Sequence, residues 1–304
     1  MPCYKPLEAW RTSESTSNGK KKIAFKKSAT SLYPIQLPCN MCIGCRLDRS
    51  LSWAIRCVHE SQLHTQNSFI TLTYAPEHLP QYGSLQHGHF QTFIRKLRRS
   101  LPHKTIRYFM CGEYGEDLSH PHYHACLFGH DFHDKQIWKE QEGILTYVSE
   151  SLETLWGHGF TTTGELNFDT AAYTARYITK KITGPQAENH YQSTDQHTGD
   201  LINLTPEYAN MSLKPGIAGD YYNKFKSDLY PSDYIIHGGK KITLPRYYDN
   251  IYEANNGDLD EIKRLRKLNA KKHQANNTPE RLDVRHKIKL INHNKLLRKL
   301  ENET

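Results

Sequence analysis

Apolar and polar positions along this chain follow two periods, and the switches between them divide it into elements. Leu51, Ala54, Ile55 and Val58 recur at helical spacing, which predicts an amphipathic helix from Asp48 to about His64. Ser68-Phe69-Ile70-Thr71-Leu72-Thr73-Tyr74 alternates and is β-branched, a strand ended by Pro76 and Pro80. Phe90, Phe93, Ile94, Leu97 and Leu101 form one apolar stripe on a helix from about Gly88 to Leu101. Its other face carries Arg95, Lys96, Arg98 and Arg99, either simply solvated or facing a polyanion. Ile106 to Glu113 reads as a second strand. His120 to Gly129, apolar after three alternating histidines and stopped by glycine, reads as a third. Residues 134–156 look helical through Ile137, Trp138, Ile144, Leu145, Val148, Leu152 and Leu155, with Gly143 as an interruption. Phe160 to Phe168 is a further strand, and Asp169 to Lys181 a helix capped by Asp169 or Thr170 and stopped by Gly184-Pro185. The polar, Lys/Ser/Thr-rich residues 11–31 read as a loop. The resulting order is strand–helix–strand–strand–helix–strand–helix.

Composition narrows the class. The chain has 304 residues, 37% of them hydrophobic and 24% charged. No stretch approaches the roughly 18 apolar residues of a membrane span, and Met1-Pro2-Cys3-Tyr4-Lys5 lacks the apolar region of a signal peptide. A cytoplasmic protein is expected. Its seven cysteines are then expected as thiols or metal ligands rather than disulfides. From Glu261 to Thr304 there are 13 basic and 5 acidic residues, the whole net charge of +8, whereas residues 1–260 carry 27 of each. Such a tail fits a polyanion partner, most often nucleic acid, or a solubilising end.

The chemistry centres on His120-Pro121-His122-Tyr123-His124. Every second side chain of a strand shares a face, so the three imidazoles would look one way. They make either a metal site or a histidine-rich surface strand. The short polar loop before them predicts that the Ile106–Glu113 strand pairs antiparallel with the histidine strand, with Glu113 across from His122. Two imidazoles and one carboxylate leave positions open for phosphate oxygens and suit Mg²⁺ or Mn²⁺; a solvated carboxylate is the plainer reading of Glu113.

Two further clusters stand out. Cys39, Cys42 and Cys45 are spaced C-x2-C-x2-C, a turn suited to zinc, with Cys3 and Cys57 as candidates for a fourth ligand and His59 behind them. Buried free thiols are the main alternative, and an iron–sulfur cluster is a further one. On the Asp169–Lys181 helix, Tyr173 and Tyr177 share a face, and a basic residue follows each by three: Arg176 and Lys180. A phenol with a pKa near about 10 is a poor nucleophile; a neighbouring cation stabilises its phenolate. Packing aromatics are the plainer reading.

These residues together resemble the HUH endonucleases of rolling-circle replication. Phe69–Tyr74 looks like the first strand motif, His122-Tyr123-His124 like the HUH triplet, and Tyr177-Ile178-Thr179-Lys180 like the Y-x-x-K nucleophile motif. The tandem form with Tyr173, the Cys39–Cys45 stretch, Lys214-Pro215-Gly216-Ile217 and Tyr230-Pro231-Ser232-Asp233 look most like the replication initiators of the gokushovirus branch of microviruses. Arg176 stands where lysine would complete a second Y-x-x-K. His120 with Pro121 makes a competing pair, and Pro121 is not the usual bulky apolar middle residue, so His122 and His124 are preferred.

The resemblance implies an α+β fold with a central antiparallel sheet and flanking helices, an N-terminal Cys-rich segment and a basic helical C-terminal tail. The divisions expected are 1–60, 61–185 for the catalytic domain, 186–258 for an extension and 259–304 for the tail. It implies metal-dependent nicking and rejoining of single-stranded or supercoiled origin DNA in the host bacterial cytoplasm. Tyr173 or Tyr177 would attack the phosphate, Arg176 and Lys180 would assist, and a host polymerase and helicase would be partners. Two other classes remain: a relaxase or single-strand transposase with the same chemistry, and a zinc-stabilised DNA-binding protein without catalysis.

Overall fold

A computed structural model describes residues 3–17, 19–115, 120–141, 143–177, 181, 186–195 and 198–294, with Tyr177 and Gln186 described by their backbone. In chain order the elements are β1 (Leu7–Ser15), β2 (Lys21–Ala24), β3 (Ser31–Leu37), α1 (Ile43–Ser61), β4 (Asn67–Thr73), α2 (His87–Ser100), β5 (Arg107–Tyr114), β6 (Pro121–Phe128), β7 (Gln136–Gln141), β8 (Ile144–Val148), α3 (Glu150–Trp156), β9 (Thr161–Gly164) and α4 (Phe168–Tyr177). There follow α5 (Gln186–His190), β10 (Gln192–Thr194), β11 (Leu201–Asn203), β12 (Tyr208–Met211), α6 (Gly219–Leu229), β13 (Tyr234–His237), β14 (Lys240–Thr243), α7 (Arg246–Ala254), α8 (Asp260–Lys272) and α9 (Pro279–Asn294). The fold is α+β, with a central antiparallel sheet, flanking helices, an N-terminal cysteine cluster and C-terminal basic helices. Two compact units divide the chain: residues 1–49 with 259–304, and residues 50–258. Among the described residues no helix is long and apolar enough to cross a membrane.

The first unit holds a three-stranded antiparallel sheet in the order β2-β1-β3, the start of α1, and helices α8 and α9. Residues 11–31, expected as a loop, therefore contain the end of β1 and the whole of β2. Most of the side chains of β1 and β2 are exposed, so burial imposes no apolar alternation there for a sequence reading to detect.

The second unit is built on a seven-stranded sheet in the order β12-β5-β6-β4-β9-β8-β7, each neighbouring pair antiparallel. Every residue of β6 is buried, because helices cover both of its faces. On one face Phe90, Phe93, Ile94 and Leu97 of α2 and Leu152 and Trp156 of α3 pack on Ile70, Leu72, Met110, Tyr123, Ala125 and Leu127. This is the apolar stripe read from the sequence; Arg95, Lys96, Arg98 and Arg99 are exposed. On the other face Ala54 and Cys57 of α1 and Ala171 and Ala175 of α4 pack on Phe109, Cys126 and Phe128. Small side chains on both helices let their backbones approach the sheet. Burying a phenylalanine such as Phe128 contributes about 1.5–3 kcal/mol.

Residues 134–156 are not one helix. They form the β7–β8 hairpin, turned near Gly143 (φ 78°), and then α3. The Ser149 side chain accepts a hydrogen bond from the Leu152 amide, and Gly157 (φ 68°) ends the helix. Gly159 (φ 147°) then lets the chain run against the end of β4: a Cβ there would lie 2.2 Å from the Ala75 nitrogen. The close approach is sealed by hydrogen bonds from Ala75 N–H to the His158 carbonyl and Thr73 N–H to the Phe160 carbonyl, at 2.8 and 2.9 Å. Beyond residue 186, β12 adds to the sheet beside β5, pairing Tyr208 with Gly112 through Met211 with Phe109.

Candidate active site

The β5–β6 hairpin sets Glu113 opposite His122 and Cys111 opposite His124. On the other side of β6, β4 sets Thr71 opposite His124 and Thr73 opposite His122. Opposed residues share a face, so the register alone gathers Glu113, His122, His124, Thr71 and Thr73 on one side of the sheet. Ligand atoms of Glu113, His122 and His124 lie within 4.8 Å of one another, and all three residues are buried. Glu113 Oε1 sits 2.7 Å from His122 Nε2 and 2.9 Å from His124 Nε2. Burial pushes the Glu113 carboxyl up, but the hydrogen bonds and charges of His122 and His124 outweigh it and hold the group at about 2.

The outer nitrogens of the two rings are also held. His122 Nδ1 lies 3.0 Å from the His120 carbonyl, an acceptor, so Nδ1 carries the proton it donates there. His124 Nδ1 meets the Thr71 hydroxyl at 2.9 Å, and Phe69 stacks on its ring at 5.7 Å. With Nδ1 committed to the His120 carbonyl, Nε2 is the nitrogen that faces Glu113, where a proton now bridges it to the carboxylate and a cation could take that proton's place. This fixed tautomer and inward-pointing nitrogen are what metal-ligating histidines require, so the residues fit a divalent ion. His120 stands outside the cluster: its Nε2 donates to the Tyr74 carbonyl at 3.0 Å, while its own carbonyl orients His122. Thr71 and the His120 carbonyl were missed in the sequence reading, although strand pairing would place Thr71 opposite His124.

Helix α4 begins where the Asn167 side chain accepts hydrogen bonds from the Asp169 and Thr170 amides, at 2.9 and 3.0 Å. It packs on β5, β6 and β12. Tyr173 is thereby buried against the metal-ligand candidates: its ring meets His124 edge-on at 4.9 Å and Phe69 at 6.1 Å. The Arg176 guanidinium, one turn on, lies 5.8 Å from the centre of the Tyr173 ring. Tyr177 is the last residue of α4; its side chain, and Lys180, lie outside the described residues.

The second candidate metal-binding cluster is in the other unit. Cys3, Cys39, Cys42 and Cys45 have sulfurs within 4.8 Å of one another. Of the candidates for the fourth position, Cys3 is therefore the one brought to the turn. Cys57 is buried beside Cys126, and His59 Nδ1 is bonded to the Tyr248 hydroxyl at 2.7 Å. The motif stretches near the C-terminus have packing partners. Arg107 and Arg56 donate to the Pro215 and Ile217 carbonyls, and Glu60 binds both Arg107 and the Ala218 amide. Tyr230 donates to Asp249 at 2.8 Å and stacks on Tyr252.

The family model for replication-associated protein ORF2/G2P matches residues 67–182, the segment from β4 past α4 that contains Glu113, His122, His124 and Tyr173. The chain is 34% identical over 296 residues to the replication-associated protein ORF2 of Spiroplasma virus 4, covering 90% of this chain and 88% of the relative. The chain belongs to this family of replication-associated proteins. A second member, the replication-associated protein VP4 of Bdellovibrio phage phiMH2K, is 31% identical over 264 residues, 84% of this chain and 78% of the relative. A third, the replication-associated protein ORF4 of Chlamydia phage 1, is 26% identical over 228 residues, 72% of this chain and 54% of the relative. No solved structure matches.

Proposed function

We propose that this replication-associated protein starts rolling-circle replication of a single-stranded DNA phage, of the gokushovirus branch of microviruses, by nicking and rejoining origin DNA through a tyrosine. The observation that carries the reading is Tyr173 lying against His124, beside three converging ligand side chains on the central strands. A divalent ion held by Glu113, His122 and His124, Mg²⁺ or Mn²⁺ for this oxygen and imidazole set, supplies Lewis-acid polarisation of the scissile phosphate. Four clustered thiols, by contrast, suit Zn²⁺.

The tyrosine hydroxyl loses its proton and its oxygen attacks phosphorus. The bond from phosphorus to the 3′-oxygen breaks, and the leaving 3′-hydroxyl takes up a proton and primes a host polymerase. The 5′ end stays on the protein as a phosphotyrosine. One phosphoester replaces another, so no ATP is consumed. Arg176, and Lys180 three residues after Tyr177, steady the phenolate or the phosphate. Tyr173 and Tyr177 are one helical turn apart, about 6 Å along the axis. Either can therefore work while the other holds DNA, and the second cleaves the regenerated origin before the 3′-hydroxyl reseals the circle. The cut site must be single-stranded, so an extruded or melted origin, opened with a host helicase, is the substrate. The test is a denaturing-gel assay of protein with Mn²⁺ and a labelled origin oligonucleotide. A covalent adduct is expected from the natural protein and none after His122→Ala with His124→Ala; adduct formation by that variant overturns the metal assignment.

A further inference from the structure

The cysteine cluster takes no part in this phosphoryl chemistry, and it draws together distant parts of the chain. Cys3 lies near the start, Cys39 and Cys42 flank a turn, and Cys45 is in the first turn of α1. Three backbone amides point at their sulfurs, each at 3.3 Å: Cys39 N–H at Cys3, Cys42 N–H at Cys39, and Tyr4 N–H at Cys42. Tetrahedral Zn²⁺ with Zn–S bonds of about 2.3 Å sets sulfurs about 3.8 Å apart. The sulfurs, already within 4.8 Å, need move little to reach that spacing. The packing partners of these cysteines are one another and Tyr4, a local core too small to hold without a staple.

Tyr4 connects this site to the basic C-terminal helix of the same unit. Its amide donates to a cluster sulfur, while its ring meets His286 at 5.6 Å and the Arg285 guanidinium at 5.7 Å, both on α9. The buried residue of α9 is Leu282; Val284, Ile288 and Ile291 are exposed. The Tyr4 ring is therefore one of the contacts that hold α9, beside the hydrogen bonds of Arg281 and Arg285 to Asn276 and Asn277. We propose that Cys3, Cys39, Cys42 and Cys45 bind one zinc ion as a structural staple, and that zinc holds α9 in place through Tyr4. The proposal is independent of the nicking chemistry.

The experiment uses the full chain purified after growth in zinc. Elemental analysis should give one zinc per chain, released on titration with a thiol-specific mercurial, and cobalt substitution should give a tetrahedral thiolate spectrum. Hydrogen exchange is then compared before and after zinc release. Exchange in residues 279–294 should quicken about tenfold, the loss of one aromatic and one cation–π contact, while β6 stays protected. Tyr4→Ala should retain zinc yet show the same quickening, which keeps the test valid if cysteine variants fail to fold. No retained zinc, disulfides among these cysteines, or unchanged exchange in α9 on zinc release or in Tyr4→Ala would each overturn the proposal. Adduct formation with Mn²⁺, measured in parallel, reads the other site separately.

Discussion

Thr71→Val isolates the positioning of one proposed ligand. Thr71 faces His124 across the β4–β6 ladder and its hydroxyl holds His124 Nδ1 at 2.9 Å. Valine keeps the β-branched shape and the strand preference, so the substitution removes one hydrogen bond and little else. That bond is worth about 0.5–1.5 kcal/mol of net stability, so the fold should survive. Its larger effect is expected on metal affinity, because the bond orients the imidazole whose Nε2 faces Glu113. Loss of such an outer partner typically costs about 10–100-fold in affinity, or roughly 1.4–2.7 kcal/mol. The assay is covalent adduct formation as a function of Mn²⁺ concentration. The half-saturating concentration should rise by that factor while the rate at saturating metal stays near that of the natural protein. A merely structural role for Thr71 would lower the unfolding midpoint without moving the metal midpoint. An unchanged metal midpoint in a folded Thr71→Val protein refutes the reasoning.

Other consequences follow from buried groups. Burial holds His59 and His130 at about 4, below their ordinary value, so the folded state keeps them neutral while the unfolded chain takes up protons below about 6.5. Urea stability should therefore be full above about pH 6.5 and fall steadily towards pH 4; a flat profile over that window contradicts it. Arg107→Ala should cost about 3–5 kcal/mol in denaturant unfolding, because it takes the guanidinium from the buried Glu60 carboxylate, which keeps only the Ala218 amide and His64, and frees the Pro215 carbonyl. Ser149→Ala should cost about 1 kcal/mol by removing the cap of α3, with a correspondingly small fall in melting temperature.

The elements legible in the sequence were those whose period burial enforces. The stripe of α2 and the alternation of β4 face the core on one side, and the short polar stretch of sequence between Glu113 and His122 makes antiparallel pairing of their strands the natural outcome. The β7–β8 hairpin was illegible for the opposite reason. It lies at the sheet edge with Ile137, Trp138 and Ile144 exposed, so its apolar residues follow no strand alternation and fall by accident at helical intervals. The strands in residues 11–31 are solvated and show no period either. Long-range partners were the other blind spot. Which of Cys3, Cys57 and His59 joins the cysteine turn, and that residues 208–211 extend the sheet, depend on pairings that local pattern does not encode. The tyrosine helix was readable from its i, i+4 spacing, although the side chain that caps it is Asn167 rather than Asp169 or Thr170 and the expected stop at Gly184-Pro185 lies outside the described residues; the contact of Tyr173 with His124 needed the fold.

The central claim is that a tyrosine of α4 becomes the covalent carrier of the DNA 5′ end. Its most direct test is mass spectrometry of the protein–oligonucleotide adduct formed in Mn²⁺, with the attachment site mapped by peptide. The account predicts a phosphotyrosine link at Tyr173 or Tyr177, and no adduct from the Tyr173→Phe, Tyr177→Phe double variant. A link to any other residue, or cleavage and attachment by the double variant, would contradict it.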